Sequence, residues 1–239
     1  MNKSKLKIIL FVICLVTSLL FSQPNPVTDL TAIVGDKPDE IKLLFTYPGP
    51  GILPENSCYY IQYSTYLEGV IWSTANANVL VSTSNVFCNE QQVITISGLG
   101  GDNTYYFHIW VSSGTEQKLS EISNRVTYYL VGEVIMEIEK EFSAVKKRPT
   151  DEIIYIIKYK NVGNVKTKWF KIEDKIPSNT EYKSGSIIVN NVGKTDDSDE
   201  EEGPDAEFTS DKIIIIFDDV DVQILPKQTG QVQFTVIIK

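Results

Sequence analysis

Short runs in which apolar and polar residues alternate recur along this chain of 239 residues. Alternation with a period of two puts every second side chain on one face of a β-strand, so each run predicts a strand with one buried face. In the first half, the apolar members of three runs are Ile41, Leu43 and Phe45; Tyr59, Ile61 and Tyr63; and Tyr105, Phe107, Ile109 and Val111. Strands at this spacing, with no helical period between them, predict an all-β sandwich.

The second half repeats this pattern after a short junction at residues 131–133. Its runs include Tyr155, Ile157 and Tyr159; Ile213 to Phe217; and Phe234 with Val236. A chain of this length is long enough for two domains that each bury an adequate core. We therefore expect two tandem β-sandwich domains, over residues 24–130 and 134–239, behind a leader at residues 1–22.

The turn before the longest run of the first domain has a further signal. Leu99 lies six residues before Tyr105, across a turn formed by Gly100, Gly101 and Asp102. This spacing is typical of a tyrosine corner, in which the tyrosine hydroxyl binds a backbone group upstream in immunoglobulin-like sandwiches. The predicted fold of this domain is therefore immunoglobulin-like.

Residues 24–130 resemble a fibronectin type III domain. The matching residues are Pro26, Val27 and Leu30; Tyr59, Ile61 and Tyr63; and Gly98 and Leu99 with Tyr105 and Phe107. Phe45 stands where this family usually carries tryptophan, which changes one core position without threatening the fold. The loop from Ser112 to Ser120 contains no Arg-Gly-Asp, so integrin-type adhesion is not implied.

Residues 134–239 resemble the repeat of bacterial surface proteins known as domain of unknown function 11. The residues that carry the resemblance are Tyr155, Ile157, Asn161, Gly163, Asn164, Asp174, Ile176, Pro177, Thr180, Tyr182, Gly185 and Ser186. The resemblance implies a second immunoglobulin-like sandwich in an exported protein. It implies no chemistry.

The first 22 residues have the pattern of a secretory signal. Lys3, Lys5 and Lys7 precede an apolar run from Ile8 to Phe21, and the small residue Ser22 follows. That run of 14 residues is short for a membrane span, which needs ~20 apolar residues, although an uncleaved anchor is an open alternative. We expect the mature chain to be secreted, periplasmic or on the cell surface, with no membrane span.

The net charge of the chain is −9, and loss of the three leader lysines makes it −12. Nucleic acid is excluded as an expected partner, because such an acidic chain has no evident basic surface with which to neutralise phosphates.

Two cysteines, Cys58 and Cys88, remain after the leader is removed. Export makes a disulfide chemically permissible, and the predicted strand order places both at the same pole of the sandwich. A bridge would close a loop of about 30 residues and contribute roughly 3 to 4 kcal/mol. The alternative is two separate, partly buried thiols.

One sheet face of the first domain is a candidate binding surface. Alternation places Tyr106, His108 and Trp110 opposite the core residues of their strand, with Tyr60 and Gln62 on the neighbouring strand. Aromatic rings on an exposed face can stack on sugars or anchor a protein partner. The alternative is that other side chains or a neighbouring domain cover this face. Nothing pairs His108, the only histidine, with a nucleophile or an acid, so no catalytic triad is predicted.

The second domain has an acidic stretch at residues 195–207. Oxygen ligands at alternate positions, Asp197, Asp199 and Glu201, form a weak candidate for a calcium site. Gly203 is misplaced for an EF-hand loop, and a solvated acidic loop is the alternative.

These observations predict an exported, non-catalytic structural or protein-interaction component of the cell surface or envelope. The alternative is a carbohydrate-binding accessory module that uses Tyr60, Tyr106 and Trp110. We expect no enzymatic activity and no cofactor other than the calcium candidate, and the expected partner is an envelope protein or a glycan.

Overall fold

The computed structural model describes residues 23–49, 51–114, 116–143, 148–197, 203–218 and 222–239. The predicted leader at residues 1–22 lies outside these ranges. The chain divides into two compact units, the first ending at Val131 and the second beginning at Gly132. Antiparallel β-sheets build both units, and the described ranges contain no α-helix, so the all-β prediction is confirmed. None of the described segments forms a helix long and apolar enough to cross a membrane.

The first unit consists of two sheets. Its strands are β1 (Thr31–Val34), β2 (Ile41–Thr46), β3 (Ser57–Ser64), β4 (Val79–Thr83), β5 (Gln91–Ile96), β6 (Asn103–Ser113), β7 (Lys118–Leu119) and β8 (Val126–Leu130). One sheet has the order β1-β2-β5. The other has the order β4-β3-β6, and both β7 and β8 pair with β6. A short 3₁₀ helix (Thr74–Asn76) lies between β3 and β4.

The core of the first unit lies between these two sheets. Alternate residues of β2 and β5 from one sheet, and of β3 and β6 from the other, form one buried apolar cluster. Phe45 fills its position by packing edge-on against Tyr59, with 5.0 Å between the ring centroids. Period-two alternation therefore identified the inward faces of these strands correctly.

The tyrosine corner is present. The Tyr105 hydroxyl donates a hydrogen bond to the carbonyl oxygen of Gly100 at 3.0 Å, and Leu99 is buried beside it. Asp102 has a φ of 58°, and its backbone N–H donates to the carbonyl of Leu130 at 2.8 Å. These two bonds hold the turn before β6 against Tyr105 of β6 and Leu130 of β8.

The second unit also consists of two sheets. Its strands are β9 (Met136–Phe142), β10 (Glu152–Asn161), β11 (Phe170–Lys175), β12 (Thr180–Tyr182), β13 (Ile188–Val189), β14 (Val192–Gly193), β15 (Asp205–Thr209), β16 (Lys212–Phe217) and β17 (Thr229–Ile238). The larger sheet has the order β14-β13-β17-β10-β9, with β12 also pairing β17. The smaller sheet has the order β11-β16-β15, and the core between the sheets includes Ile157, Ile215 and Phe234.

A buried turn after β10 explains several residues of the sequence pattern. Asn161 is fully buried, and its Nδ2 donates to the carbonyls of Val165 and Ile224, both at 2.9 Å. Its Oδ1 accepts the backbone N–H of Gly163 at 2.9 Å. A Cβ on Gly163 would lie 2.2 Å from the carbonyl oxygen of Glu133, so only glycine fits there. Asn161 and Gly163 therefore serve the fold of this unit.

A charge contact connects the two sheets of the second unit at the β9 edge. Lys140 of β9 turns toward the core side, where its Nζ lies 2.5 Å from a carboxylate oxygen of Asp174 on β11. This approach is not a well-directed hydrogen bond. The same ammonium lies 4.4 Å from the ring centroid of Tyr155, a cation–π distance.

Candidate functional site

The four residues of the predicted binding face lie on neighbouring strands of the larger sheet of the first unit. Tyr60 on β3 is directly opposite Trp110 on β6, and Ser64 is opposite Tyr106. His108 lies between Tyr106 and Trp110 on the same side of β6, away from the core residues Phe107 and Ile109. The residues that alternation grouped together therefore share one face.

The chain itself covers much of this face. The Gln62 amide donates to the carbonyl of Ile71 at 3.0 Å and accepts the backbone N–H of Ser73 at 2.8 Å, which holds the β3–β4 connection over the sheet. Trp72, carried by that connection, packs edge-on against His108 with centroids 4.8 Å apart. Trp110 is only 7% exposed, which favours the alternative that other side chains cover this face.

His108 occupies a structural position under this cover. Its Nδ1 lies 3.1 Å from the carbonyl oxygen of Ser123. Because a carbonyl can only accept, we assign the proton to Nδ1. Burial lowers the pKa of His108, and the Ser123 carbonyl opposes this effect while Arg125 adds to it. The imidazole is thus favoured in its neutral form and packs as an aromatic ring.

Cys58 and Cys88 are free thiols in this structure, and no bridge joins them. Cys58 follows the same alternation as Tyr60 and Gln62, which places it on the outer face of the sheet. Its proximity to Tyr60 is consistent with this, since burial and the Cys58 thiol both raise the pKa of the Tyr60 hydroxyl. Cys88 is exposed in the loop before β5, on the opposite sheet. A side chain that points away from the core does not reach a loop of the other sheet.

The calcium candidate is only partly within the described residues. Asp197 is described, whereas Asp199 and Glu201 lie outside the described ranges. No group of three or more potential metal ligands occurs in the part of the chain that the structure describes. Calcium binding by the acidic stretch stays a prediction.

One acid of this stretch has a structural contact that the sequence did not predict. Asp196 accepts hydrogen bonds from the Tyr182 hydroxyl at 2.5 Å, from Ser184 Oγ at 2.7 Å and from the Gly185 backbone N–H at 2.8 Å. Burial alone would raise the pKa of Asp196, but these bonds lower it below its usual value. Burial, together with the bond to Asp196, raises the pKa of Tyr182 to about 12. Asp196 therefore fastens the start of the acidic stretch to the β12–β13 connection.

A polar groove of about 760 Å³ lies on the outer face of the larger sheet of the second unit. Its lining includes four amide side chains and charged residues of both signs, namely Asn190, Asn191, Gln228 and Gln231 with Glu137, Glu139, Lys158 and Lys160. Tyr159 lies beneath it and exchanges hydrogen bonds with Asn190 at 2.9 and 3.2 Å. The sequence pattern did not predict this groove, because its walls come from three strands (β9, β10 and β17), the tip of the β13–β14 hairpin and the residue before β17, which are distant in the chain.

Exposed apolar side chains occur on β4 and on the loop before it. Tyr66, Ile71 and Leu80 are 75%, 74% and 58% exposed. Residues 69–89 contain no charged side chain and form the longest uncharged stretch behind the leader. This apolar, uncharged character contrasts with the acidic chain as a whole and identifies the β4 side of the first unit as a candidate interaction surface.

The fold thus defines a protein of antiparallel β-sandwich units. No protein-family model matches the chain, and no curated protein matches it. A solved structure with similarity to the chain is an alpha-L-rhamnosidase from Dictyoglumus thermophilum, at 13% sequence identity and a TM-score of 0.28. The match covers 91% of this chain but 26% of that one, and so low a TM-score supports no inference about function.

Proposed function

We propose that this protein is an exported, non-catalytic component of the cell surface or envelope that acts through protein–protein contacts. The observation that carries this proposal is the exposure of three apolar side chains, Tyr66, Ile71 and Leu80, within or next to an uncharged stretch at residues 69–89 of a chain of net charge −9. The absence of charge in this stretch is typical of interface cores, which are depleted in charged residues. The signal-like leader supports export.

Localisation is the first test of this proposal. The full chain is expressed in a bacterial host, and the mature N-terminus is determined by mass spectrometry after fractionation and protease treatment of intact cells. We expect cleavage after Ser22 and a protease-accessible product outside the cytoplasm. A Val16→Arg variant, which interrupts the apolar run of the leader, is expected to stay in the cytoplasm. Full-length wild-type protein in the cytoplasm would overturn the export part of the proposal.

The contact surface is tested separately. We expect the double variant Tyr66→Glu, Ile71→Glu to reduce the envelope-bound fraction of the mature protein several-fold, because each carboxylate interrupts an apolar contact. Val93→Glu, on the opposite sheet and 55% exposed, is the matched control and should bind like wild type. Equal retention of all three proteins would argue against an interface on the β4 side.

Carbohydrate binding is the second candidate, and the groove of the second unit favours it. Amide side chains and charged groups of both signs hydrogen-bond to sugar hydroxyls through donors and acceptors. In the described part of the chain, neither the Lys160 ammonium nor the Glu137 carboxylate has a hydrogen-bond or ion-pair partner, so both remain available to a ligand. On a glycan array, Gln231→Ala should weaken any binding while Asn179→Ala, exposed and outside the groove, leaves it unchanged.

A further inference from the structure

Strand β4 is an open edge of the larger sheet in the first unit, since β3 is its only partner among the strands of the described residues. The side to which each backbone group of β4 points can be derived from β6. The backbone groups of Ile109 and Val111 in β6 bond to Ser123 and Ser120, on the side of β6 that faces away from β3. The even-numbered residues of β6 therefore bond to β3. Because bonding alternates along antiparallel strands, the odd-numbered residues of β3 bond to β4. The N–H and C=O groups of Leu80 and Ser82 consequently point to the open edge.

This edge lacks the charges that usually protect an open strand from pairing with another chain. β4 contains no charged residue, and neither does the adjoining β3. The β9 edge, by comparison, carries Glu137, Glu139, Glu141 and the inward-turned Lys140. The β15 edge carries Asp205 and Glu207. The β5 edge is itself uncharged, but Glu90 precedes it and Lys42 lies opposite Thr95 on the next strand. β4 is therefore less protected by charge than these three edges.

We infer that β4 is the contact through which two copies of this chain pair, edge to edge and antiparallel. This inference rests on the proposed function as an interaction protein and names a second copy as the partner. A contact between identical acidic chains is opposed by like-charge repulsion wherever carboxylates meet, and the uncharged stretch at residues 69–89 avoids this cost. A two-fold axis suits such a contact, because the same surface serves both copies.

One antiparallel register uses the free backbone groups of both Leu80 and Ser82, and we assign the pair to it. Leu80 of each copy exchanges hydrogen bonds with Ser82 of the other, which gives four backbone hydrogen bonds. Val81 then lies directly opposite Val81 of the second copy in a non-hydrogen-bonded position, where side chains approach most closely. The larger sheet of the first unit in one copy would join the same sheet of the other copy to form one continuous sheet. Val81, half-buried on the core side, would gain a neighbour across the axis.

Disulfide trapping tests this register. In a Cys88→Ser background, which removes the exposed thiol, Val81→Cys should form an intermolecular disulfide under mild oxidation, because opposed non-hydrogen-bonded positions match disulfide geometry. Thr83→Cys, on the same strand and face, is the matched control. In the same register the two Thr83 positions lie about 13 Å apart, too far to bridge. We expect at least tenfold more covalent dimer with Val81→Cys than with Thr83→Cys.

A second variant tests the backbone contact without a new thiol. Ser82→Pro removes an N–H that points to the open edge and leaves the bonds between β4 and β3 in place. By sedimentation equilibrium, wild type should dimerise and Ser82→Pro should dissociate at least tenfold more readily, with an unchanged far-UV circular dichroism spectrum.

Three results would overturn the inference: a wild-type monomer throughout the accessible concentration range, equal trapping at positions 81 and 83, or stronger trapping by Val93→Cys in β5. A monomer that is still exported and retained at the envelope would leave the proposed function in place and remove only the self-pairing. A dimer that stays in the cytoplasm would support the self-pairing and overturn the export part of the proposed function.

Discussion

Replacing Asn161 with alanine tests whether the buried turn of the second unit depends on its side-chain hydrogen bonds. The amide makes three bonds of 2.9 Å, to the carbonyls of Val165 and Ile224 and from the N–H of Gly163. All three backbone groups would lose this partner in a site that is closed to solvent. At roughly 1 kcal/mol net for each bond, the loss is about 3 kcal/mol of unfolding free energy.

Differential scanning calorimetry of the mature chain is the measurement. The two units are expected to unfold in separate transitions, so the comparison uses the transition of the second unit. For a unit of this size, ~4 °C per kcal/mol gives a decrease in Tm of about 12 °C. Hydrogen exchange should show faster exchange around residues 161–167 in the variant and no change in the first unit.

Two further variants separate hydrogen bonding from packing. Asn161→Asp keeps the size of the side chain and one acceptor, but it aims a second oxygen at the two carbonyls. The loss of unfolding free energy in Asn161→Asp should equal or exceed that in Asn161→Ala. Asn179→Ala, at an exposed position of the same unit, should change stability by less than about 0.5 kcal/mol. If Asn161→Ala behaved like this control, the reasoning about the turn would be refuted.

Tyr105→Phe should lower the stability of the first unit by about 1 kcal/mol in urea denaturation, because it removes the bond to the Gly100 carbonyl; an unchanged midpoint would contradict this. Because the pKa of His108 is lowered in the folded chain, the unfolded chain binds this proton at higher pH than the folded chain does. The stability of the first unit should therefore fall as the pH drops through about 6.5. Melting curves of His108→Gln should lack this pH dependence. Gly163→Ala should prevent native folding of the second unit, seen as lost amide protection, because its Cβ would overlap the Glu133 carbonyl; native protection would count against this close approach.

The alternating pattern was sufficient to predict the inward faces of the main strands and the all-β class. In β6, Tyr105, Phe107 and Ile109 are buried where the pattern placed them, and the spacing from Leu99 to Tyr105 predicted the turn that the Tyr105 hydroxyl fastens. These features are local. They depend on the period of a strand and on a turn of a few residues, and both are determined by residues that are close together in the sequence.

The outer faces were decided by the tertiary structure. Alternation placed Trp110 and Cys58 on the outside of their sheet, but it could not show that the connection carrying Trp72 folds over that sheet, nor that Cys88 lies in the loop before a strand of the opposite sheet. Contacts such as that of Asp196 with Tyr182, or the groove beside Asn190, likewise join segments that the sequence keeps apart. The side of a strand on which a residue lies follows from its immediate neighbours, whereas what covers that side depends on the path of distant chain.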